Sequence, residues 1–134
     1  TNDRRQRQMC IRDRSNTRNN RKMDKITTYQ NIIIDFLREQ AKPTKGISKD
    51  IRREVIIDRE SNNFQLLHVG WKESYYQFFV AFHFSIINEK IWLQWNRTEH
   101  EVVDFLIEKG VPKNDIVLGL KPPFVRKHTG FATA

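Results

Sequence analysis

The chain has 134 residues, 38% apolar and 30% charged, a size and composition that suit one soluble globular domain and leave no room for a second core. Its longest apolar run, residues 78–84, is broken by His83 and falls far short of the roughly 18 residues that a membrane-spanning helix requires. The net charge of +8 is unevenly placed: residues 1–22 hold eight basic side chains against Asp3 and Asp13, or +6, and the other 112 residues hold 16 basic and 14 acidic ones, or +2. The body of the chain is therefore nearly balanced, and total charge alone does not make it a nucleic-acid binder.

In chain order, residues 1–22 are expected to be a disordered basic tail, because only Met9, Cys10 and Ile11 are available for burial against Arg4, Arg5, Arg7, Arg12, Arg14, Arg18, Arg21 and Lys22. Such a tail could serve as an arm on phosphate backbones. The patterned segment that starts at Met23 favours a different expectation, in which Met23 is the natural start, the upstream residues are read-through, and 23–134 is the single domain. The tail lacks the apolar core of a secretory signal, and Cys10 is the only cysteine, so a cytoplasmic location is expected.

Ile26, Tyr29, Ile32, Ile33, Phe36 and Leu37 recur at three and four, the period of a one-sided helix over 24–42 that Pro43 stops. A loop at 44–49 leads to a β-branched run, Val55-Ile56-Ile57, and a turn signal at Ser61-Asn62-Asn63. Strands follow over 64–69, 75–86 and 91–95, separated by turns at Lys72-Glu73 and Asn88-Glu89. A two-residue turn at Asn88-Glu89 pairs Ile86 with Ile91, Phe84 with Leu93 and Phe82 with Trp95 on one apolar face. The other face receives Ser85 with Trp92, His83 with Gln94 and Ala81 with Asn96.

A second helix is signalled by Val102, Val103, Leu106 and Ile107 behind Thr98-x-x-Glu101, a capping box, and is ended by Gly110 and Pro112. Residues 115–118 fit either one helical turn or a short strand, and Pro122-Pro123 imposes an extended segment before an irregular tail. The plan is α+β: an N-terminal helix, an antiparallel sheet of about four strands, a second helix, and helices packed on one sheet face.

No catalytic constellation emerges. A turn at Lys72-Glu73 sets His68 opposite Gln77, about 20 Å along the strand from His83, and His100 and His128 have no helical partner at i, i+4. Ser48, Ser61, Ser74 and Ser85 show no nucleophile elbow, and single glycines at Gly46, Gly70, Gly110, Gly119 and Gly130 form no phosphate cradle. No catalytic, cofactor-binding or metal residue is assigned, and the expectation is a protein that is not an enzyme. Two features suit binding: the amphipathic aromatics Trp71, Tyr75 and Trp92, and the cluster Arg126-Lys127-His128-Thr129-Gly130-Phe131, which could meet phosphate or an acidic partner.

Several runs, Leu66-Leu67-His68-Val69-Gly70-Trp71, Lys90-Ile91-Trp92-Leu93-Gln94, Thr98-Glu99, Gly110-Val111-Pro112-Lys113, Asp115-Ile116-Val117-Leu118-Gly119, and Pro122-Pro123 with Arg126 and Thr129-Gly130-Phe131-Ala132, closely resemble the XisI family in the family's order. These proteins are known as excision-controlling factors of the fdxN element, mainly in cyanobacteria. The resemblance implies a small α+β accessory protein that works beside XisH, a nuclease-like protein, while a separate recombinase excises a DNA element. It supplies no catalytic residues and makes Trp71, Trp92, Thr98, Glu99, Arg126, Thr129 and Gly130 candidates for a shared surface, which together with Lys127 and His128 of the basic cluster form the candidate binding surface. Glu89 departs from a common Gly, and Trp95 from a polar residue. Beside an XisH-like partner, the alternatives are an antitoxin-like inhibitor of that partner and a direct DNA-binding module; self-association is also compatible with the sequence.

Overall fold

The structure, a computed structural model, describes the backbone of residues 2–43, 50–97 and 101–134, and side chains within those segments from Arg21 onward. Helix α1 spans Asn2–Gln40. The one-sided pattern holds: Tyr29, Ile33, Ile34, Phe36 and Leu37 are buried, with Ile26 and Ile32 packed beside them. The helix also runs back over the segment whose composition suggested disorder. Arg, Gln, Met and Lys are good helix formers, so a helix seeded by packing can continue through them although, among the described side chains, the core begins only at Ile26.

Five strands form one mixed sheet in the order β1-β2-β3-β4-β5: β1 Ile51–Asp58, β2 Asn63–Lys72, β3 Tyr75–Ile87, β4 Lys90–Asn96 and β5 Ile116–Val117. The first four pair antiparallel by hairpins. The fifth pairs parallel to β4, with Ile91 against Ile116 and Trp92 against Val117. The segment 115–118, open to two readings in the sequence, is both: a 3-10 turn Lys113–Asp115 delivers the chain straight into β5.

Phe64 and Leu66 of β2, Phe82, Phe84 and Ile86 of β3, and Ile91 and Leu93 of β4 face α1 and close the core. Phe36 is the hub, with its ring 5.1 Å from Phe82, 5.8 Å from Phe84 and 5.1 Å from Phe105 of the second helix. Polar contacts fix the helix lengthwise. The Tyr29 hydroxyl donates to the Asp115 carboxylate, which Lys25 meets at 2.9 Å, and burial together with that carboxylate raises the Tyr29 pKa well above its ordinary value. Gln30 donates to Arg59 O and to Asn62 Oδ1, anchoring the β1–β2 turn. At the C-terminal end, Arg53 Nη1 donates to the carbonyls of Gln40 and Lys42, both at 2.8 Å, and so satisfies acceptors that a helix end leaves open.

Two irregularities displace the expected registers. Leu66 pairs with Phe82 but Leu67 with Val80, so Ala81 is an extra residue in β3. Phe84 pairs with Leu93 but His83 with Trp95, so Gln94 is an extra residue in β4. The pairs Ile86–Ile91, Ser85–Trp92 and Phe84–Leu93 stand as read. Phe82 instead meets Asn96, and His83 meets Trp95 rather than Gln94, because a bulge sends every residue beyond it to the other face.

Helix α2 covers Val102–Glu108, with Glu101 at its N-cap and no side-chain capping bond. The expected box with Thr98 is therefore not the start of the helix, and Thr98 itself lies outside the described residues. Val102 and Leu106 are buried and Phe105 packs on the core, whereas Ile107, expected in the stripe, is exposed. The segment Pro122-Pro123 is not extended throughout: Pro123 occupies the first turn of a short helix α3, Pro123–Arg126, where its fixed φ and missing N–H cost nothing.

The β3–β4 turn has positive φ at both central residues, 52° at Asn88 and 61° at Glu89, as a tight two-residue hairpin demands. Asn tolerates that region and Glu does so at a cost. Glu89→Gly is expected to stabilise the fold by about 1 kcal/mol, read as a higher urea midpoint with unchanged slope; an unchanged or lower midpoint would contradict the strain assigned to Glu89.

Candidate interaction surface

Helices α1 and α2 lie on one face of the sheet, and the opposite face divides into three zones. Its middle is polar: Ser85 Oγ donates to Asn63 Oδ1 at 2.8 Å, and His83 Nδ1 lies 3.1 Å from Gln65 Oε1. Burial lowers the His83 pKa, which favours a neutral ring in this row.

Beside β5 the face is covered by the chain's own C-terminal segment. Arg126 is the clamp. Its Nε donates to Lys121 O at 2.9 Å and Leu118 O at 3.3 Å, and its Nη2 to Gly119 O at 3.2 Å. The guanidinium also sits 5.1 Å from the centre of the Trp92 ring, a cation–π arrangement. The Trp92 indole N–H is buried with no hydrogen-bond partner among the described residues. Thr129 Oγ1 donates to Arg126 O at 2.7 Å, Gly130 takes φ 80°, and Ala132 N donates to Ile116 O at 2.9 Å, laying the last residues along β5. Gly119 leaves room for the closure, since a Cβ there would stand 2.5 Å from Gln94 Oε1 and 3.0 Å from Trp92 Cε3, and the Gln94 side chain would have to swing aside.

Trp92, Arg126, Thr129 and Gly130 are thus brought together, but as a closure of the fold. Arg126 is held within the fold, its Nε and Nη2 serving three carbonyls and its flat side lying on an indole. Lys127 and His128 are exposed beyond it. With them stand two apolar residues that the sequence reading did not single out, Leu120 and Phe124, the latter 69% exposed. Thr98 and Glu99 lie outside the described residues.

The third zone, toward the β2–β3 hairpin tip, is apolar, and Trp71 belongs here, far along the sheet from Trp92. Val69 pairs with Phe78, Leu67 with Val80 and Trp71 with Tyr76, so these six share the face turned away from α1. Trp71 and Tyr76 are in ring contact at 5.1 Å. Trp95, opposite His83, joins the same face and donates its indole N–H to Val80 O at 3.0 Å. Tyr75 pairs with Lys72 at the tip. Tyr76 and Phe78 face outward because of the bulge at Ala81, and Trp95 because of the bulge at Gln94. Period-two alternation groups Tyr76, Phe78 and Val80, but unbroken it would continue them onto the core face of Phe82 and Phe84.

The turn at Glu73-Ser74 and the bulge at Ala81 together correct the histidines. His68 faces Phe79, not Gln77, at a ring distance of 4.7 Å. It shares the α1 side of the sheet with its neighbour across β1, Arg53, whereas His83 is on the other side, so the two do not share a face. Burial first, then the charges of Arg53 and Arg97, lower the His68 pKa. Among the described residues, no group of three or more His, Cys, Asp or Glu side chains is placed to hold a metal ion.

The family model for XisI protein matches residues 23–133. Among solved structures, an XisI-like protein from Anabaena variabilis superposes with a TM-score of 0.76 and 34% identity, covering 81% of this chain and 99% of its own. The fdxN element excision controlling factor XisI from the same organism superposes with a TM-score of 0.70 and 27% identity, covering 82% of this chain and 99% of its own. No curated protein gives a match.

The clamp predicts a local consequence. Arg126→Ala leaves the carbonyls of Leu118, Gly119 and Lys121 without this donor and bares the Trp92 ring, a loss of about 2 kcal/mol. Hydrogen exchange should accelerate at Ala132 and Leu120 ahead of the β2–β3 amides. Equal acceleration across the whole sheet, or none, would contradict a closing role for Arg126.

Proposed function

The chain belongs to the XisI family, and from that premise we propose that it is a non-enzymatic regulatory factor for programmed excision of a DNA element, acting through protein contacts with an XisH-like partner. The supporting observation is the match along residues 23–133 together with the likeness, over nearly the full length of the other protein, to one named an excision controlling factor. In this reading 23–134 is the working domain.

The surface best suited to that partner is the outer side of the C-terminal segment. Leu120 and Phe124 expose apolar area next to Lys121, Lys127 and His128, the mix of an apolar anchor and a charged rim that recurs in protein interfaces. Direct DNA binding has less support, because Arg126 is engaged within the fold and residues 23–134 carry a net charge of only +2 from 16 basic and 14 acidic side chains.

The test is co-purification of the full chain with an XisH-like protein encoded in the same genome. Association at micromolar concentration is expected, and Phe124→Ser with Lys127→Glu should weaken it about tenfold or more. Absence of association would defeat the partner reading. Association with duplex DNA in place of the protein, falling steeply with salt after residues 1–22 are removed, would replace it with direct DNA binding; relief of toxicity on co-expression would identify the contact as antitoxin-like inhibition.

A further inference from the structure

The apolar zone at the β2–β3 end of the open sheet face is unlike an ordinary protein surface. Trp71 is 56% exposed, Tyr76 50%, Phe78 64%, Trp95 49% and Ile56 41%. Beneath them Leu67 and Val69 are each only 7% exposed and belong to no part of the core under α1. Val80 and Phe78 on one side and Glu54 and Arg52 on the other flank them across the strands, so the apolar residues form a layer and not a scatter of single side chains. At roughly 200 Å² for a fully exposed aromatic side chain, the four rings alone present on the order of 400 Å². That is comparable to the largest apolar patch of a typical monomer, which is itself often functional.

We propose that this face is covered by a second copy of the chain, the two sheets stacking open face to open face about a two-fold axis. The area fits. A stable interface buries about 800 Å² per partner, and a homodimer interface is about 65% apolar, so roughly 500 Å² of apolar surface is needed from each copy. The four rings with Ile56 come close to supplying it. The charge pattern fits as well. A two-fold interface requires that each charge on the patch meet its opposite on the same patch. Beside the patch β1 carries one charge of each sign, Arg52 opposite Val69 and Glu54 opposite Leu67, both exposed and only loosely paired to each other at 3.6 Å, while Asp58 lies further along, opposite Asn63 of the polar row and accepting from Ser61 N. Rotation about the axis sets Arg52 of each copy against Glu54 of the other. A nucleic-acid partner would call for a rim of one sign. The polar row Asn63, Gln65, His83 and Ser85, flanked by Ile56 opposite Gln65 and by Trp95 opposite His83, bounds the patch on its inner side, and the C-terminal closure on Trp92 lies beyond that row. The surface proposed for the XisH-like partner therefore stays free, and the two contacts are separable.

Sedimentation velocity of the full chain at micromolar concentration tests this inference. A dimer is expected. Phe78→Ser and Trp71→Ser should weaken it about tenfold or more with unchanged circular dichroism. Arg52→Glu and Glu54→Arg should each weaken self-association, because the first leaves two acidic side chains on the rim of both copies and the second two basic ones. An equimolar mixture of these two variants should form a mixed dimer, in which the acidic rim of one copy faces the basic rim of the other. A chain that stays monomeric throughout overturns the proposal. So does a dimer indifferent to Phe78→Ser, or one in which the two charge variants fail to complement each other.

Discussion

A five-stranded sheet has two faces to keep from water, and this chain has helices for one. Ile33, Phe36 and Leu37 of α1, joined by Val102 and Leu106 of α2, close over Phe64, Phe82, Phe84, Ile91 and Leu93. Each is a large apolar side chain taken out of water, and burial of that kind is the main favourable contribution to folding. What remains on the opposite face is then dictated by strand geometry. Every second residue of β2 and β3 must point there, and in this sequence many of those residues are apolar.

The chain covers that second face in two ways. Over β5 it folds its own last residues back, and the cost of ordering an irregular segment is offset by Arg126, which gathers three carbonyls and an indole at one point. Several residues that mark the family resemblance are the ones this closure uses: Trp92, Gly119, Arg126, Thr129 and Gly130. Gly70 has a comparable role at the other end, since a Cβ there would stand 2.1 Å from Asp50 O. The words shared with the family thus record where backbone approaches too closely for a side chain, or where one side chain must satisfy several acceptors. Over β2 and β3 no segment of the described chain returns, and the aromatic stripe stays bare until, on the inference drawn above, a second copy meets it.

The helix pattern of α1 and the paired apolar faces near Asn88-Glu89 were legible because each is periodic over many residues. The α+β plan followed from them. Two bulges were not legible. Ala81 and Gln94 are ordinary strand residues, and nothing in their chemistry announces that they will be left out of register. Their effect is large, since they separate Phe82 from Trp95 and turn an expected core residue outward. The Ala81 bulge likewise hid Tyr76 and Phe78, which unbroken alternation would place on the face of Phe82 and Phe84. In both places the sequence carried the right residues, and the missing information was which face they occupy. Of the candidate surface, Trp71, Lys127 and His128 are exposed, whereas Trp92, Arg126 and Thr129 make contacts within the fold.

The difference between the two faces is measured most directly by paired unfolding of Phe36→Ala and Phe78→Ser, at concentrations where the chain is monomeric. Phe36→Ala removes the hub of the helix-covered face and should cost about 3–5 kcal/mol, while Phe78→Ser, on the bare face, should change stability by no more than about 0.5 kcal/mol. A loss at Phe78 comparable to that at Phe36 would show that the open face is core after all.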